Sequence, residues 1–404
     1  MDILAPESEA QAAEIVAGVA RNGGQLQITG SGSKGIEASG APMLTSTGIT
    51  GILAYTPAEL VLTARAGTSM TEIEAVLAEN RQMLSFEPGA LGKVFGTNAP
   101  QTLGGIAAVN QSGPRRYVAG AARDSLLGVR FVNGRGEIIK NGGQVMKNVT
   151  GLDLVKLLAG SWGSLGFLTE VSFKVLPLPE CEATLVVHGV DAAQGTRVMS
   201  DAMGTSADVT GAAYLNETVS SRALSGDLSG KAAVVLRLEG LEESVKDRTD
   251  RLIGLLSSDL DISVIDDAAS KLLWAALRDV APLAHNTARP LWKISVPPSN
   301  GAAAAHAIAS EVGGDWFADW QGGLVWFEMA GDEDHASLVR KIAGDKEGYA
   351  TLARRGPASS TTTILHPKSA AVQALSERVR ASMDPSGVFV SPMFSAGAAA
   401  SQAA

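Results

Sequence analysis

One cysteine, Cys181, stands in a chain of 404 residues. No internal disulfide can form, and this chain alone cannot hold a four-cysteine iron–sulfur cluster. Such cysteine usage fits a reducing, cytoplasmic setting, with Cys181 read as a small side chain at a strand end. Long apolar runs are also missing. None approaches the ~20 residues that span a bilayer, so any membrane association would run through a partner. The stretch Met1 to Glu9 is acidic and does not read as a signal peptide. Of the five histidines (His188, His285, His306, His335 and His366), none lies within five residues of another. Short-spaced metal signatures such as H-E-x-x-H are therefore absent, and no metal site is expected. Excess positive charge is lacking too: the net charge of −9 argues against a nucleic-acid partner. No G-x-S-x-G elbow and no Walker A frame occurs.

Glycine is plentiful instead, 45 residues with no strict period, which means a loop-rich globular chain rather than a fibre. Three glycine-bearing stretches stand out. Leu158 to Val175 carries Gly160, Gly163 and Gly166 and then alternates as a strand. Thr102 to Arg116 has the same character. Gly30 to Gly35 matches G-x-G-x-x-G after a strand at 25–29, but Ile36 to Pro42 is helix-poor, so the helix of a Rossmann site is missing. A turn of bare amides with two serines and a lysine still suits a phosphate. Together these stretches imply one elongated ligand. Arg115 and Arg116, adjacent cations beside Ser112-Gly113-Pro114, are candidates to face an anion.

Apolar spacing predicts a helix over 7–21, a strand over 60–66, and a helix begun by the capping box Ser69 to Glu72. A hairpin is expected at 129–132 and 137–140 around Asn133 to Gly136. Composition changes after Pro177 and Pro179, which places a domain boundary there. Strands at 291–296, 316–320, 324–329 and 349–353, with helices at 302–312 and 333–343, give the order βαββαβ of a ferredoxin-like plait. A weaker version runs from Thr184 to Val264. The expectation is one antiparallel sheet backed by helices on one face. Trp316, Phe317, Trp320, Trp326 and Phe327 are expected to pack against those helices. A last helix is predicted over Ser369 to Met383.

At this point the residues resemble a known family, the FAD-binding proteins of the vanillyl-alcohol oxidase type with PCMH-type FAD domains. Ile28 to Lys34 (ITGSGSK) resembles its first pyrophosphate loop. Thr102 to Gly105 (TLGG) and Val109 to Gly113 (VNQSG) resemble its flavin-contacting segment. Arg123-Asp124, Lys147 to Leu154 (KNVTGLDL) and Gly160 to Gly166 (GSWGSLG) follow in the family's order. Ser112 to Arg116 and Asp315 to Trp326 are similar to the E-subunit family of bacterial glycolate oxidases. The resemblance implies an α+β fold: a PCMH-type FAD-binding domain of two subdomains at 1–178, then a ferredoxin-like α+β cap at 179–366. A segment at 367–394 would return to the FAD domain, and 395–404 would be a disordered tail.

It also implies FAD, held non-covalently because no histidine lies in 1–180. Gly30, Ser31, Gly32, Ser33 and Lys34 would cradle the pyrophosphate. Leu103, Gly104, Gly105, Asn110, Ser112 and Gly113 would contact the flavin side, and Gly160, Ser161, Gly163, Ser164, Gly166 and Phe167 the ribose and adenine. Catalytic relatives in the superfamily carry a close histidine pair and a carboxylate around a metal, which this chain lacks. The expected function is an FAD-binding subunit of a complex oxidising glycolate to glyoxylate. Its partners would be a larger homologous FAD-containing catalytic subunit and an iron–sulfur subunit. The alternatives are a self-sufficient FAD-dependent alcohol or hydroxyacid oxidoreductase, with Arg115 and Arg116 stabilising reduced flavin, and a scaffold that has lost FAD.

Overall fold

The computed structural model describes residues 2–36, 38–143, 152–223, 230–256, 259–358 and 362–394. The expected tail at 395–404 and most of the Lys147 to Leu154 motif lie outside them. Near the N-terminus β1 (Ile3–Leu4), β2 (Leu26–Thr29) and β3 (Met43–Thr45) pair in parallel. The helix Glu9–Arg21 lies against them. Ser8 caps it by accepting from the Gln11 amide, and its buried stripe of Ala12 and Val16 joins Leu26, Leu44 and Phe167 in one core.

Next come β4 (Ile52–Thr56), β5 (Val61–Arg65), β6 (Gln82–Met83), β7 (Leu126–Val132), β8 (Ile138–Gly142), β9 (Phe167–Lys174) and β10 (Leu176–Pro177). Five of them form an antiparallel sheet in the order β4-β5-β9-β7-β8, while β6 and β10 make a short ribbon. The predicted hairpin is β7–β8. The predicted capping residue Ser69 accepts from the Glu72 amide at the head of the helix Met70–Glu79. That helix buries Ile73 and Leu77 against Leu62, Phe86 and Phe173.

The following eight strands are β11 (Cys181–His188), β12 (Gly211–Leu215), β13 (Ala233–Gly240), β14 (Asp261–Ile265), β15 (Leu291–Ser295), β16 (Gly314–Asp319), β17 (Leu324–Met329) and β18 (Tyr349–Arg354). They form one antiparallel sheet, β14-β11-β13-β12-β16-β17-β15-β18. Each half is a βαββαβ plait with its first and third strands central. The weaker pattern from Thr184 is therefore a complete plait. The halves join edge to edge through β12 and β16, where Tyr214 faces Ala318 and Leu215 faces Phe317.

One face of this sheet packs on the helices Ala192–Met203, Glu242–Leu255, Gly301–Val312 and Ala336–Asp345. The other face is not bare, which corrects the expectation of helices on one side only. There Leu273, Trp274 and Leu277 of the helix Asp267–Arg278, with Val219 from the helix Glu217–Ala223 and Leu91 and Val94 from the N-terminal half, cover Val186, Val235 and Phe317. The aromatic residues divide accordingly. Trp316 and Phe327 pack on the helical face, whereas Phe317, Trp320 and Trp326 point to the N-terminal half, because alternate residues of a strand face opposite ways.

After the helix Ala370–Met383 the chain returns as β19 (Phe389–Val390), parallel to β2. Asp384, 3% exposed, makes the turn: its Oδ1 and Oδ2 accept from the amides of Val388 and Phe389 at 2.9 and 2.7 Å. Among the described residues no helix is long and apolar enough to cross a membrane. Asp384→Ala would leave two buried amides without an acceptor, so it should cost about 2–3 kcal/mol in chemical denaturation. Loss of less than ~0.5 kcal/mol would show that the turn is held by something else.

Candidate functional site

Three loops meet where their strands end. The loop 30–35 leaves β2; Thr45 Oγ1 donates to Gly30 O at 2.6 Å and Ser31 Oγ donates to Pro100 O. The helix Leu103–Val109 is tied to the end of β5, with Gly104 N donating to Ala66 O at 2.8 Å and Leu103 N to Thr68 O at 2.9 Å. The loop 160–166 before β9 hydrogen-bonds to that helix, Trp162 N to Ala108 O at 2.9 Å.

Most glycines here serve the fit between loops. A Cβ on Gly104 would stand 2.5 Å from Ala66 Cβ, one on Gly163 2.9 Å from Ile28 Cβ, and one on Gly166 2.5 Å from a Phe131 ring atom. Gly32 differs: it has φ +80° and open space around it. Around it the amides of Ser31, Gly32, Ser33 and Lys34 donate to no described residue, while Gly35 N closes on Gly32 O at 3.2 Å.

These loops border a cleft of two chambers. The inner chamber, about 130 Å³, is lined by Gly30, Ser31, Gly32, Ser33, Lys34, Gly104, Gly105, Gly163, Gly166 and Phe167, with Ser391 and Pro392 from the returning C-terminal segment. The outer chamber, about 290 Å³, lies between the N-terminal half and the eight-stranded sheet. Its walls include Gln111, Ser112 and Gly113 on one side and Lys293, Asp319, Leu324 and Trp326 on the other. Lys34, Ile36, Val109 and Trp162 line both chambers, so the cleft is continuous.

Several anticipated residues stand behind this lining rather than in it. Leu103 is fully buried in the core. Asn110, at φ +51°, accepts the Arg123 amide through Oδ1 at 2.8 Å. Gly160, Ser161 and Ser164 shape their own turn, with Ser164 Oγ donating to Ser161 O. Arg115 and Arg116 also lie outside both chambers. Arg115 pairs with Glu239 at 2.9 Å, and the Arg116 guanidinium sits 4.5 Å from the centre of the Trp320 ring. Lys34, Arg278, Lys293, Arg354 and Arg355 do border the cleft, and of these the sequence motifs marked only Lys34. Lys293 carried one available signal, a lone charge in the middle of the apolar strand Leu291 to Val296.

The electrostatics follow from burial. Lys34 Nζ donates to Gln101 Oε1 at 3.2 Å and to Gln111 Oε1, and both glutamines donate in turn to Gly89 O. With only neutral partners, burial and then the nearby Lys293 pull Lys34 down to about 7. Burial and Arg116 likewise lower Lys293 to about 8, against the pull of Asp319. Burial lifts Asp319 to about 7, although its carboxylate accepts the Trp320 amide at 2.7 Å. No group of three or more His, Cys, Asp or Glu among the described residues is placed to hold a metal.

This donor set fits a dinucleotide diphosphate. Four unpartnered amides and a lysine on neutral partners are what a phosphate recruits, and the two joined chambers give the length. Residues 3–142 match the FAD binding domain family. The chain is 32% identical to glycolate oxidase subunit GlcE of Escherichia coli (strain K12) over 339 residues, covering 84% of this chain and 83% of that protein. It is 40% identical to glycolate oxidase subunit GlcD of Bacillus subtilis (strain 168) over 97 residues, 24% of this chain and 21% of that one. Among solved structures, alkyldihydroxyacetonephosphate synthase superposes with a TM-score of 0.66 at 15% identity, covering 96% of this chain and 76% of its own. At that identity the likeness speaks for the fold.

Two outcomes test the cleft. A bound diphosphate would favour charged Lys34 and raise its pKa. Cofactor binding should then take up a proton above pH 7, with affinity level below pH 7 and falling above it. Calorimetry in buffers of different ionisation enthalpy reads this uptake, and Lys34→Met should abolish it and weaken binding by about tenfold or more. Gly104→Ala should cost about 1–3 kcal/mol by overpacking Ala66. Gly32→Ala should cost only about 1–2 kcal/mol of backbone strain while its protein contacts stay intact, as thermal melts would show.

Proposed function

Since the chain belongs to the family of FAD-binding proteins that includes glycolate oxidase subunit GlcE, we propose that it is the FAD-carrying subunit of a complex that oxidises glycolate to glyoxylate. FAD is its cofactor. When bound it supplies two-electron acceptor chemistry. The amides of residues 31–34 and the Lys34 ammonium hold the diphosphate. Gly104, Gly105, Gly163, Gly166 and Phe167 form the walls of the inner chamber, and Ser112 and Gly113 border the outer one. Leu103, Asn110, Gly160, Ser161 and Ser164 hold those walls in place.

The observation that carries this reading is the run of four unpartnered amides beside Lys34, opening into a continuous cleft. A scaffold without cofactor has no use for it. The similarity to both GlcE and GlcD supports a multi-subunit assembly. On our reading its other members are a larger homologous FAD-containing subunit and an iron–sulfur subunit. In this reading electrons leave through such a partner, which would hold the cluster that a chain with one cysteine cannot.

The expressed chain should be yellow, carry close to one FAD per chain, and release its colour on denaturation. Co-expressed with the two partner subunits and affinity-purified, it should bring both down and reduce an artificial acceptor with glycolate. A colourless protein that takes up no added FAD rejects the cofactor reading. A yellow protein that elutes alone rejects the assembly.

A further inference from the structure

We infer that a separate cavity, outside the cleft, is a binding site for a small organic cation, an ammonium group on an apolar body, with Glu182 as its counter-anion. This goes beyond the FAD reading and stands apart from it.

The cavity, about 490 Å³, is lined by the helices Met70–Glu79 and Asp267–Arg278 and by the ends of β11 and β13. Of its lining residues only Arg278 also borders the cleft. Leu77, Met83, Leu178, Trp274 and Ala275 give it apolar walls. The two strands supply buried acids. Glu182 of β11 stands directly opposite Glu239 of β13, and Arg237, two residues before Glu239, shares their face. Carboxylates on facing positions of neighbouring strands repel each other unless positive charge is shared between them.

The cations around this cavity are already taken. Arg237 forks onto Glu87, Arg115 pairs with Glu239 at 2.9 Å, Lys271 with Asp267 at 2.6 Å, and Arg278 with Asp279 at 2.8 Å. Glu239 is served twice, since Arg237 Nε lies 3.5 Å from its other oxygen. Glu182 is left over. It is 8% exposed, makes no ion pair with a described residue, and its Oε1 has no hydrogen-bond partner. Trp274 offers it nothing, because its Nε1 donates to Thr184 Oγ1 at 2.8 Å. Burial raises the pKa of Glu182; Arg237 and the Ser270 hydroxyl oppose this, and Glu239 and Glu87 add to it. A second acid, Glu74, is exposed at the rim and makes no ion pair with a described residue either.

This lining selects its ligand. With the nearby cations paired, an anion would meet uncompensated carboxylates. A purely apolar molecule would leave Glu182 as it is. Among the described residues no group of three or more His, Cys, Asp or Glu is placed to hold a metal. An ammonium brings charge and donors together, and its apolar body covers Leu77, Met83 and Leu178.

Calorimetric titration of the full chain with benzylammonium and with benzyl alcohol, its neutral counterpart, tests this. The cation should bind about tenfold or more tighter than the alcohol. Its affinity should fall, with a proton released on binding, as the pH is lowered through the raised pKa of Glu182. Glu182→Gln should remove the preference for the cation at unchanged FAD content and melting temperature. Ala275→Phe fills the cavity but leaves Glu182 in place, and should weaken the cation about tenfold or more. Equal binding of the two probes overturns the inference, as does no binding of the cation, or cation binding that survives either variant. Loss of FAD or a lower melting temperature in Glu182→Gln would assign the carboxylate to the joint between the halves, and that too overturns it.

Discussion

Arg237 of β13 forks onto Glu87 of the N-terminal half with two bonds of 3.0 and 2.9 Å, and the geometry of the cleft hangs on that pair. The guanidinium is 2% exposed and lies 4.7 Å from the centre of the Trp274 ring, with Glu239 at 3.5 Å from its Nε. Burial alone would lower its pKa, but Glu87 and Glu239 more than offset this and raise it. Removing one partner of such a buried pair strands a charge and typically costs about 3–5 kcal/mol. Arg115 extends the cluster by bridging from the N-terminal half to Glu239, and Trp320 Nε1 adds a bond to Gly113 O at 2.9 Å. These contacts press the inner face of the eight-stranded sheet over the loops of the N-terminal half. Leu91 and Val94, packed beside Leu277 and Leu283, and the bond from Arg354 Nη1 to Val94 O at 3.0 Å add to the same joint.

The arginines expected to act on an anion thus turn out to work at the joint. Arg115 neutralises a buried glutamate, and Arg116 stacks on the indole whose other neighbour is Lys293. Lys293 faces the outer chamber beside the indoles of Trp320 and Trp326, in no ion pair with a described acid although Asp319 is near enough to pull on it. Glycine plays a similarly indirect part. Gly104, Gly163 and Gly166 let backbones close on Ala66, Ile28 and Phe131, beside the wall of the inner chamber that residues 31–34 line. Residues 30–34 reach the wall of the inner chamber because the protein has first packed the loops against each other.

Periodicity and punctuation were enough to read the local elements. Ser69 announced its helix, Asn133 to Gly136 its hairpin, and the plait from Leu291 to Ala353 its order of strands and helices. Each of these is set by neighbours within a few residues, through caps, turns and alternation. The glycine-bearing loops were legible as family signatures for the same reason, being short and contiguous.

What the sequence alone settled, then, is the FAD-binding character of the N-terminal half and the α+β class of the whole. What only the tertiary structure decided is which charges face the cleft. Arg237 and Glu87 are 150 residues apart, and Lys293 meets Trp320 and Asp319 only because β15, β17 and β16 lie side by side. A charged residue in an apolar strand looks the same in sequence whether its partner is a buried glutamate, an indole or an open chamber. The partner is chosen by the packing of distant segments, and that choice separates a structural ion pair from a binding group.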